Sequence, residues 1–193
     1  MSGGFKNDPV VTYNNINVRE ISITGRREFS PGKIIIEVRY SESPLIFAHT
    51  KSEIKSDYGV IANKFGSKNI RFNPDENIKR MIDNIINGIR MCILEESDIK
   101  DFEMVTISKE MNIKVKSTSS FFDKEYNEIL DISALEKKSL RLYASISVPT
   151  VFIEFIEKKI FIQFVLDQAK VLESSEKQKT FTLVRDLSKL VKT

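Results

Sequence analysis

The last third of the chain has the most regular alternation of apolar and polar positions. Apolar residues occupy every second position in Leu140–Val148, in Val151–Phe155 and again from Ile160 to Leu166. A period of two is the spacing of a β-strand that buries one face and wets the other. The pattern predicts three antiparallel strands in one long ribbon, with Pro149 ending the first and Glu157-Lys158-Lys159 turning the chain before the third.

Shorter stretches upstream show the same alternation. They lie around Ile21 and Ile23, in Lys33–Tyr40, in Leu45–His49 and in Met111–Lys116. Residues 51–72 are less regular, and Asp57-Tyr58-Gly59 and Lys64-Phe65-Gly66-Ser67-Lys68 within them have the composition of turns. Repeated short strands of this kind indicate a mainly β fold.

One stretch has helical rather than strand periodicity. Asn73 is predicted to cap the helix, with Pro74 at its first position and Asp75 and Glu76 at its positive end. Apolar residues then recur at the spacing of one helix face: Ile78, Met81, Ile82, Ile85, Ile86 and Ile89, extended by Cys92 and Ile93. The stripe predicts a long amphipathic helix packed on the core.

The two ends of the chain differ from its middle. Residues 1–17 contain Gly3-Gly4, Pro9 and several asparagines, which predict a flexible arm. Residues 174–193 place Leu183, Val184, Leu187, Leu190 and Val191 on one helical face, which predicts an amphipathic tail that packs back or contacts a second subunit. Residues 18–173 are predicted to form one domain.

Composition narrows the class of protein. The chain is 41% apolar and 30% charged, typical of a soluble globular protein, and no apolar run approaches the ~20 residues of a membrane span. The N-terminus lacks the apolar core of a signal peptide. A single cysteine excludes an internal disulfide and fits an intracellular, reducing compartment.

Charge is spread unevenly although the net charge is only +3. Residues 1–72 have 11 cations against 7 carboxylates, residues 73–110 have 5 against 9, and residues 111–193 have 14 against 11. Two basic segments on either side of an acidic one form a basic surface if they meet in space. The alternative is an ordinary solvated surface.

Residues that support catalysis or metal binding are scarce. One histidine, His49, and one cysteine, Cys92, do not provide a zinc site, and Cys92 lies on the apolar helix stripe rather than beside a base. The chain has no phosphate-binding glycine loop, no dinucleotide fingerprint and no metalloprotease motif. We therefore expect no catalytic residues, no cofactor and no metal.

Cations and aromatic rings lie instead on the predicted wet strand faces and in loops, the residue types that bind an unpaired nucleic-acid strand. Lys114 and Lys116 are two residues apart on one face, about 7 Å from each other. The strand candidates are Arg39, Lys114, Lys116, Arg141 and Tyr143. The loop candidates are Lys64, Phe65, Lys68, Phe121, Phe122, Lys124 and Tyr126. The alternative for each lysine is an ordinary surface residue that aids solubility. The alternative for Phe121 and Phe122 is a pair of rings packed in the core under a turn.

Several stretches resemble those of a viral family. They are Asp57-Tyr58-Gly59-Val60, Arg80-Met81-Ile82-Asp83, Ile113-Lys114-Val115-Lys116, Phe122-Asp123-Lys124, Ser145–Phe152 and the strand Ile160–Leu172. Their order is similar to that in the helix-destabilising single-stranded DNA-binding protein of T7-like phages. It is also similar to that in the single-stranded DNA-binding proteins of poxviruses and other large DNA viruses.

The resemblance implies an OB-fold-like antiparallel barrel that coats single-stranded DNA in viral replication, recombination or repair, at the host cytoplasm or a viral replication site. It would place Lys114, Lys116, Arg141 and Phe152 near the nucleic acid, with replication proteins as further partners. Two features depart from the phage family. The chain ends in a basic rather than an acidic tail, and it has no tryptophan.

Two other functions remain open at this point. A β-rich structural or scaffold protein would assemble through the ribbon and the tail without nucleic acid. An RNA-binding regulator on the same barrel would differ only in its polymer preference.

Overall fold

The structure is a computed structural model that describes residues 10–11, 16–63, 66–105 and 110–176. In residues 10–11 and 48–52 it describes the backbone alone. The strands are β1 (Val10–Val11), β2 (Ile21–Ser30), β3 (Lys33–Tyr40), β4 (Ser43–Pro44), β5 (Ile46–Ser56), β6 (Val60–Ala62), β7 (Lys68–Phe72), β8 (Glu103–Met104), β9 (Met111–Phe122), β10 (Lys138–Glu154) and β11 (Lys159–Glu176). The helix α1 spans Glu76–Leu94, and Val18–Glu20 and Ile132–Leu135 form 3-10 turns.

The described strands form one large sheet. Its main path is β1-β5-β10-β11-β9-β7-β6, while β2, β3 and β4 join through β3 and β8 joins at β11. The predicted mainly β fold with one long helix is confirmed. The predicted all-antiparallel pairing is wrong, because β1 with β5, β8 with β11 and β9 with β11 pair in parallel. The sheet does not close in the described residues, so the barrel is not confirmed.

The ribbon is built from two strands rather than three. β10 continues through Pro149, which lies at a register irregularity between Ser147 and Thr150. The upstream half of β10 pairs with β5 and the downstream half pairs with β3. An irregularity is one of the few places where a strand accepts proline, because no ladder hydrogen bond is lost there. The predicted break is therefore a change of partner within one strand.

The helix begins later than the sequence predicted. Asp75, not Asn73, is the N-cap, and its carboxylate accepts a 2.8 Å hydrogen bond from the Ile78 backbone N–H. A carboxylate in that position also faces the positive end of the helix dipole. The apolar stripe is confirmed as core: Ile78, Met81, Ile82, Ile85, Ile86, Ile89 and Ile93 are all buried.

The helix lies close against the start of β2. A Cβ added at Gly88 would stand 2.5 Å from Ile21 Cδ1 and 3.1 Å from the Val18 carbonyl oxygen, so glycine permits this approach. The Cys92 sulfur lies 3.2 Å from the Ile21 carbonyl, and burial raises the pKa of its thiol. A raised pKa disfavours the nucleophilic thiolate, which agrees with a packing role for Cys92.

The chain ends contribute more to the sheet than the sequence predicted. Val10–Val11, within the predicted arm, pairs in parallel with β5, and β11 continues to Glu176, past the predicted start of the tail at residue 174. Residues 1–9, 12–15 and 177–193 lie outside the described residues. None of the helices in the described ranges combines the length and apolar character that a membrane span requires.

Candidate functional site

The two faces of the β10 ribbon differ sharply in burial. Leu140, Leu142, Ala144, Ile146 and Val148 are at most 5% exposed and join the core. The side chains that alternate with them, and two further side chains after Pro149, are half-buried and point to the outer face of the sheet. They are Arg141, Tyr143, Ser145 and Ser147, followed by Thr150 and Phe152. The predicted alternation is thus confirmed, and the outer face contains the candidate binding residues.

Three strands bring an aromatic and basic row together on this face. Tyr143 of β10 is opposite Lys170 of β11, and Lys170 is opposite Phe122 of β9. Neighbouring strands lie about 4.8 Å apart, so the three side chains form one row. Tyr126, 71% exposed, adds a fourth group, because the centroid of its ring lies 3.4 Å from the Lys170 ammonium nitrogen. The row offers two types of group that bind an unpaired strand, π-faces and a cation.

A hydrogen-bonded turn holds Tyr126 in place. The Asp123 carboxylate accepts hydrogen bonds from the backbone N–H of Glu125 at 2.9 Å and of Asn127 at 2.8 Å, and from the Asn127 side-chain amide at 2.9 Å. Tyr126 itself has a φ of +66°, which a non-glycine residue adopts only under local restraint. The Asp123–Asn127 turn therefore fixes where the ring stands.

The Asp123–Asn127 turn should remain formed at mildly acidic pH. The hydrogen bond from the Asn127 side chain, followed by those from the backbone of Asn127 and Glu125, lowers the pKa of Asp123 below its usual 3.8. A lowered pKa means that the stabilisation is complete above the ordinary value and is lost as pH falls through the lowered value. The amide proton shifts of Glu125 and Asn127 should therefore stay constant down to about pH 4 and move only below it.

The matched variant for this pH experiment is Asp123→Asn, which should loosen the turn at every pH and release Tyr126 from Lys170. A turn that titrates at or above the ordinary aspartate pKa in the unmodified protein would contradict this account of Asp123.

Two lysines of β9 lie further along the strands from the row. Lys114 is opposite Val165, five positions before Lys170 on β11, and residues 116–119 form a bulge opposite Asp167. The buried Ser119 hydroxyl fixes the bulge, accepting from the Lys116 N–H at 2.9 Å and donating to the Leu166 carbonyl at 2.6 Å. No carboxylate in the described ranges pairs with Lys114 or Lys116. Their charges are thus available to an external anion.

A second aromatic group lies further along β10. Phe152 is opposite Phe161 of β11 and packs edge-to-face on Phe29 with ring centroids 5.6 Å apart. Ile35, which is opposite Phe152 on β3, is 6% exposed, whereas Phe29 is 62% exposed. Phe152 and Tyr143 are nine positions apart, which corresponds to about 30 Å along a strand.

The surface between the two aromatic groups is polar but mostly uncharged. Ser145 is opposite Gln168 and Thr150 is opposite Gln163, while the Asp167 carboxylate accepts from the Ser145 hydroxyl at 3.5 Å. Amide and hydroxyl groups donate and accept hydrogen bonds without a fixed charge. The face therefore presents aromatic groups at two ends and a polar centre that includes the Asp167 carboxylate, with Lys114 and Lys116 on its β9 side.

Ion pairs engage three of the predicted cations. Arg141 binds both Glu53 at 2.6 Å and Glu173 at 2.9 Å. Lys68 pairs with Glu136 at 3.1 Å, and Arg39 pairs with Glu37 at 3.1 Å. These carboxylates largely neutralise the positive charge that a phosphate would need.

Two of the predicted loop residues have different surroundings from those expected. Phe121 is 1% exposed and faces the core opposite Ala169, so the alternation of β9 removes it from the outer face and leaves only Phe122 there. The prediction that Phe121 stacks on a base is therefore wrong. Lys124 is exposed but lies between Asp123 and Glu125. Lys64 and Phe65 lie outside the described residues.

Sequence reasoning missed Lys170, Phe161 and Phe29 as members of this face. β11 changes phase between Leu166 and Gln168, where its pairing with β10 shifts register. That shift places Ala169 in the core and Lys170 outside. Phe29 follows the irregular part of β2, where no clean alternation marks its direction. Only the cross-strand register brings these residues beside Tyr143 and Phe152.

No group of three or more metal-ligating side chains converges within the described part of the chain. No family model matches this chain, and no curated protein matches it.

Proposed function

We propose that this protein binds single-stranded nucleic acid, with DNA as the first candidate polymer, along the outer face of β9, β10 and β11. The observation that supports the proposal is the Tyr143–Lys170–Phe122 row, with Lys114 and Lys116 further along β9. Aromatic faces stack bases of any sequence and lysines neutralise phosphates, so binding would be largely sequence-independent. A role in coating unpaired DNA during viral replication, recombination or repair follows from the resemblance.

The extent of the face supports a bound segment rather than one nucleotide. Its two aromatic groups are separated by about 30 Å, a distance that an extended strand crosses with several nucleotides. Each stacked base contributes on the order of 1–3 kcal/mol, and each phosphate contact adds a salt-dependent contribution. No catalytic step is part of the proposal.

A salt series with short labelled oligonucleotides tests the proposed function. Fluorescence anisotropy should show tight binding of an oligo-dT at low salt and a fall of several-fold or more between about 50 and 200 mM salt. A duplex of equal length is the control and should bind more weakly, because its bases are not free to stack. Absence of oligo-dT binding, or affinity that ignores salt, would overturn the proposal. Stronger binding of a matched oligo-U would reassign the polymer to RNA.

A further inference from the structure

A groove lies beside the aromatic row, between the Asp123–Asn127 turn and the end of β11. Its volume is about 460 Å3, and Ile129 and Leu172 line its apolar part. Three carboxylates also line it, those of Asp123, Glu125 and Glu173. Glu173 is paired with Arg141, and Lys124 is the one cation among the groove residues.

The loop that forms one wall is strongly acidic. Residues 123–136 contain five carboxylates and one lysine, a net charge of −4. Glu136 is paired with Lys68, whereas Glu125 and Glu128 are exposed and have no ion pair with a described residue. Leu130 in the same loop is 86% exposed, the highest value among the exposed large apolar side chains described. Glu125 lines the groove itself, whereas Glu128 and Leu130 flank Ile129, which also lines it.

The sequence that follows β11 has the complementary character. Residues 177–193 contain five cations and one carboxylate, a net charge of +4. Their apolar residues recur at the spacing of one helix face over residues 183–191. The segment follows Glu176 in sequence, and Ser174 and Ser175 just before it line the groove.

The lengths of the segment and the groove agree. Nine residues in a helix span about 14 Å, and residues 177–182 extend at most about 20 Å. The groove follows β11 over Val171–Ser175, about 13 Å of strand. The apolar part of the segment therefore reaches the groove of its own chain with a short reversal.

We propose that residues 177–193 fold back into this groove, with their apolar face on Ile129 and Leu172 and their cations against the acidic loop. Docking neutralises the negative loop that stands next to Tyr126 and Lys170. If the proposed function holds, the docked segment also favours the approach of a polyanion to the aromatic row. The docking itself does not depend on that function.

Limited trypsin digestion of the full chain, without nucleic acid, tests the docking. Trypsin cleaves at the five cations of the segment, and cleavage reports how often the segment is undocked. Glu125→Gln with Glu128→Gln, which adds no trypsin site, should accelerate cleavage within residues 177–193 about fivefold, the expected loss from two surface charge pairs. Leu187→Asp in the segment should do the same without altering the described fold. Glu95→Gln with Asp101→Asn makes the same charge change away from the groove and should leave the rate unchanged.

Equal cleavage rates in the groove variant and in the unmodified chain would overturn the docking. Protection that rises with protein concentration would overturn it as well, because the occupant would then belong to a second copy. Oligonucleotide binding is measured separately on the same proteins. A chain that binds no oligonucleotide yet shows groove-dependent protection would refute the proposed function and leave the docking intact.

Discussion

Replacing Lys114 and Lys116 together by glutamate is expected to weaken the binding of a single-stranded oligonucleotide about tenfold or more at low salt. Lys114 is partly exposed and Lys116 is exposed on β9, along the strand from the aromatic row, and neither pairs with a described carboxylate. Removing two phosphate contacts should also reduce the slope of log affinity against log salt by about 2. Anisotropy titrations at several salt concentrations measure both quantities.

Two control variants distinguish the effect of where Lys114 and Lys116 lie from the effect of the change in net charge. Arg80→Glu with Lys100→Glu makes the same charge change at exposed positions on the helix and in the turn after it, and should change affinity much less. Lys114→Arg with Lys116→Arg retains both charges and should bind like the unmodified protein. A double reversal at 114 and 116 that behaves like the control pair would show that the binding face lies elsewhere.

The sequence predicted the strands of the ribbon well because alternation depends only on local spacing. Once this stretch is an extended strand, every second residue from Leu140 to Val148 faces the core, whichever strands pair with it. The predicted strand end at Pro149 was wrong because proline is also a purely local signal. It does not distinguish the end of a strand from a change of partner, here from β5 to β3. The N-cap was missed by two residues because Asn73 and Asp75 are both good caps and only the fold decides between them.

The candidate site was predictable only in part, because it depends on cross-strand register. Lys114 and Tyr143 could be assigned to outer faces from their own strands, whereas Phe122 was predicted in a loop. Nothing local shows that Lys170 stands between Tyr143 and Phe122. Ion pairing is equally non-local. Arg141 looked available in the sequence, yet Glu53, 88 positions earlier, occupies its guanidinium. A cation is a useful ligand for phosphate only if the fold brings no carboxylate to it.

Gly59→Ala is expected to lower the free energy of unfolding by about 3 kcal/mol or more, the sum of a left-handed backbone penalty and a steric clash. Gly59 has a φ of +61°, and an added Cβ would collide with the Leu135 carbonyl oxygen and stand 2.7 Å from that of Lys138. Both obstacles are backbone atoms, so no side chain can rotate away. Urea unfolding followed by circular dichroism measures the loss.

Gly66→Ala is the matched control for the close approach at Gly59. Gly66 has a φ of +78°, but apart from its chain neighbours no described residue has an atom within 4 Å of the added Cβ, so this variant has the backbone penalty alone, about 1–2 kcal/mol. The difference between the two variants therefore isolates the contact between Gly59 and the chain that leads into β10. Since Gly59 and Val60 bridge to Glu136 just before β10 begins, that contact sets where the ribbon starts. Equal destabilisation by the two alanines would show that this segment moves aside freely and that the start of β10 is fixed by its other partners.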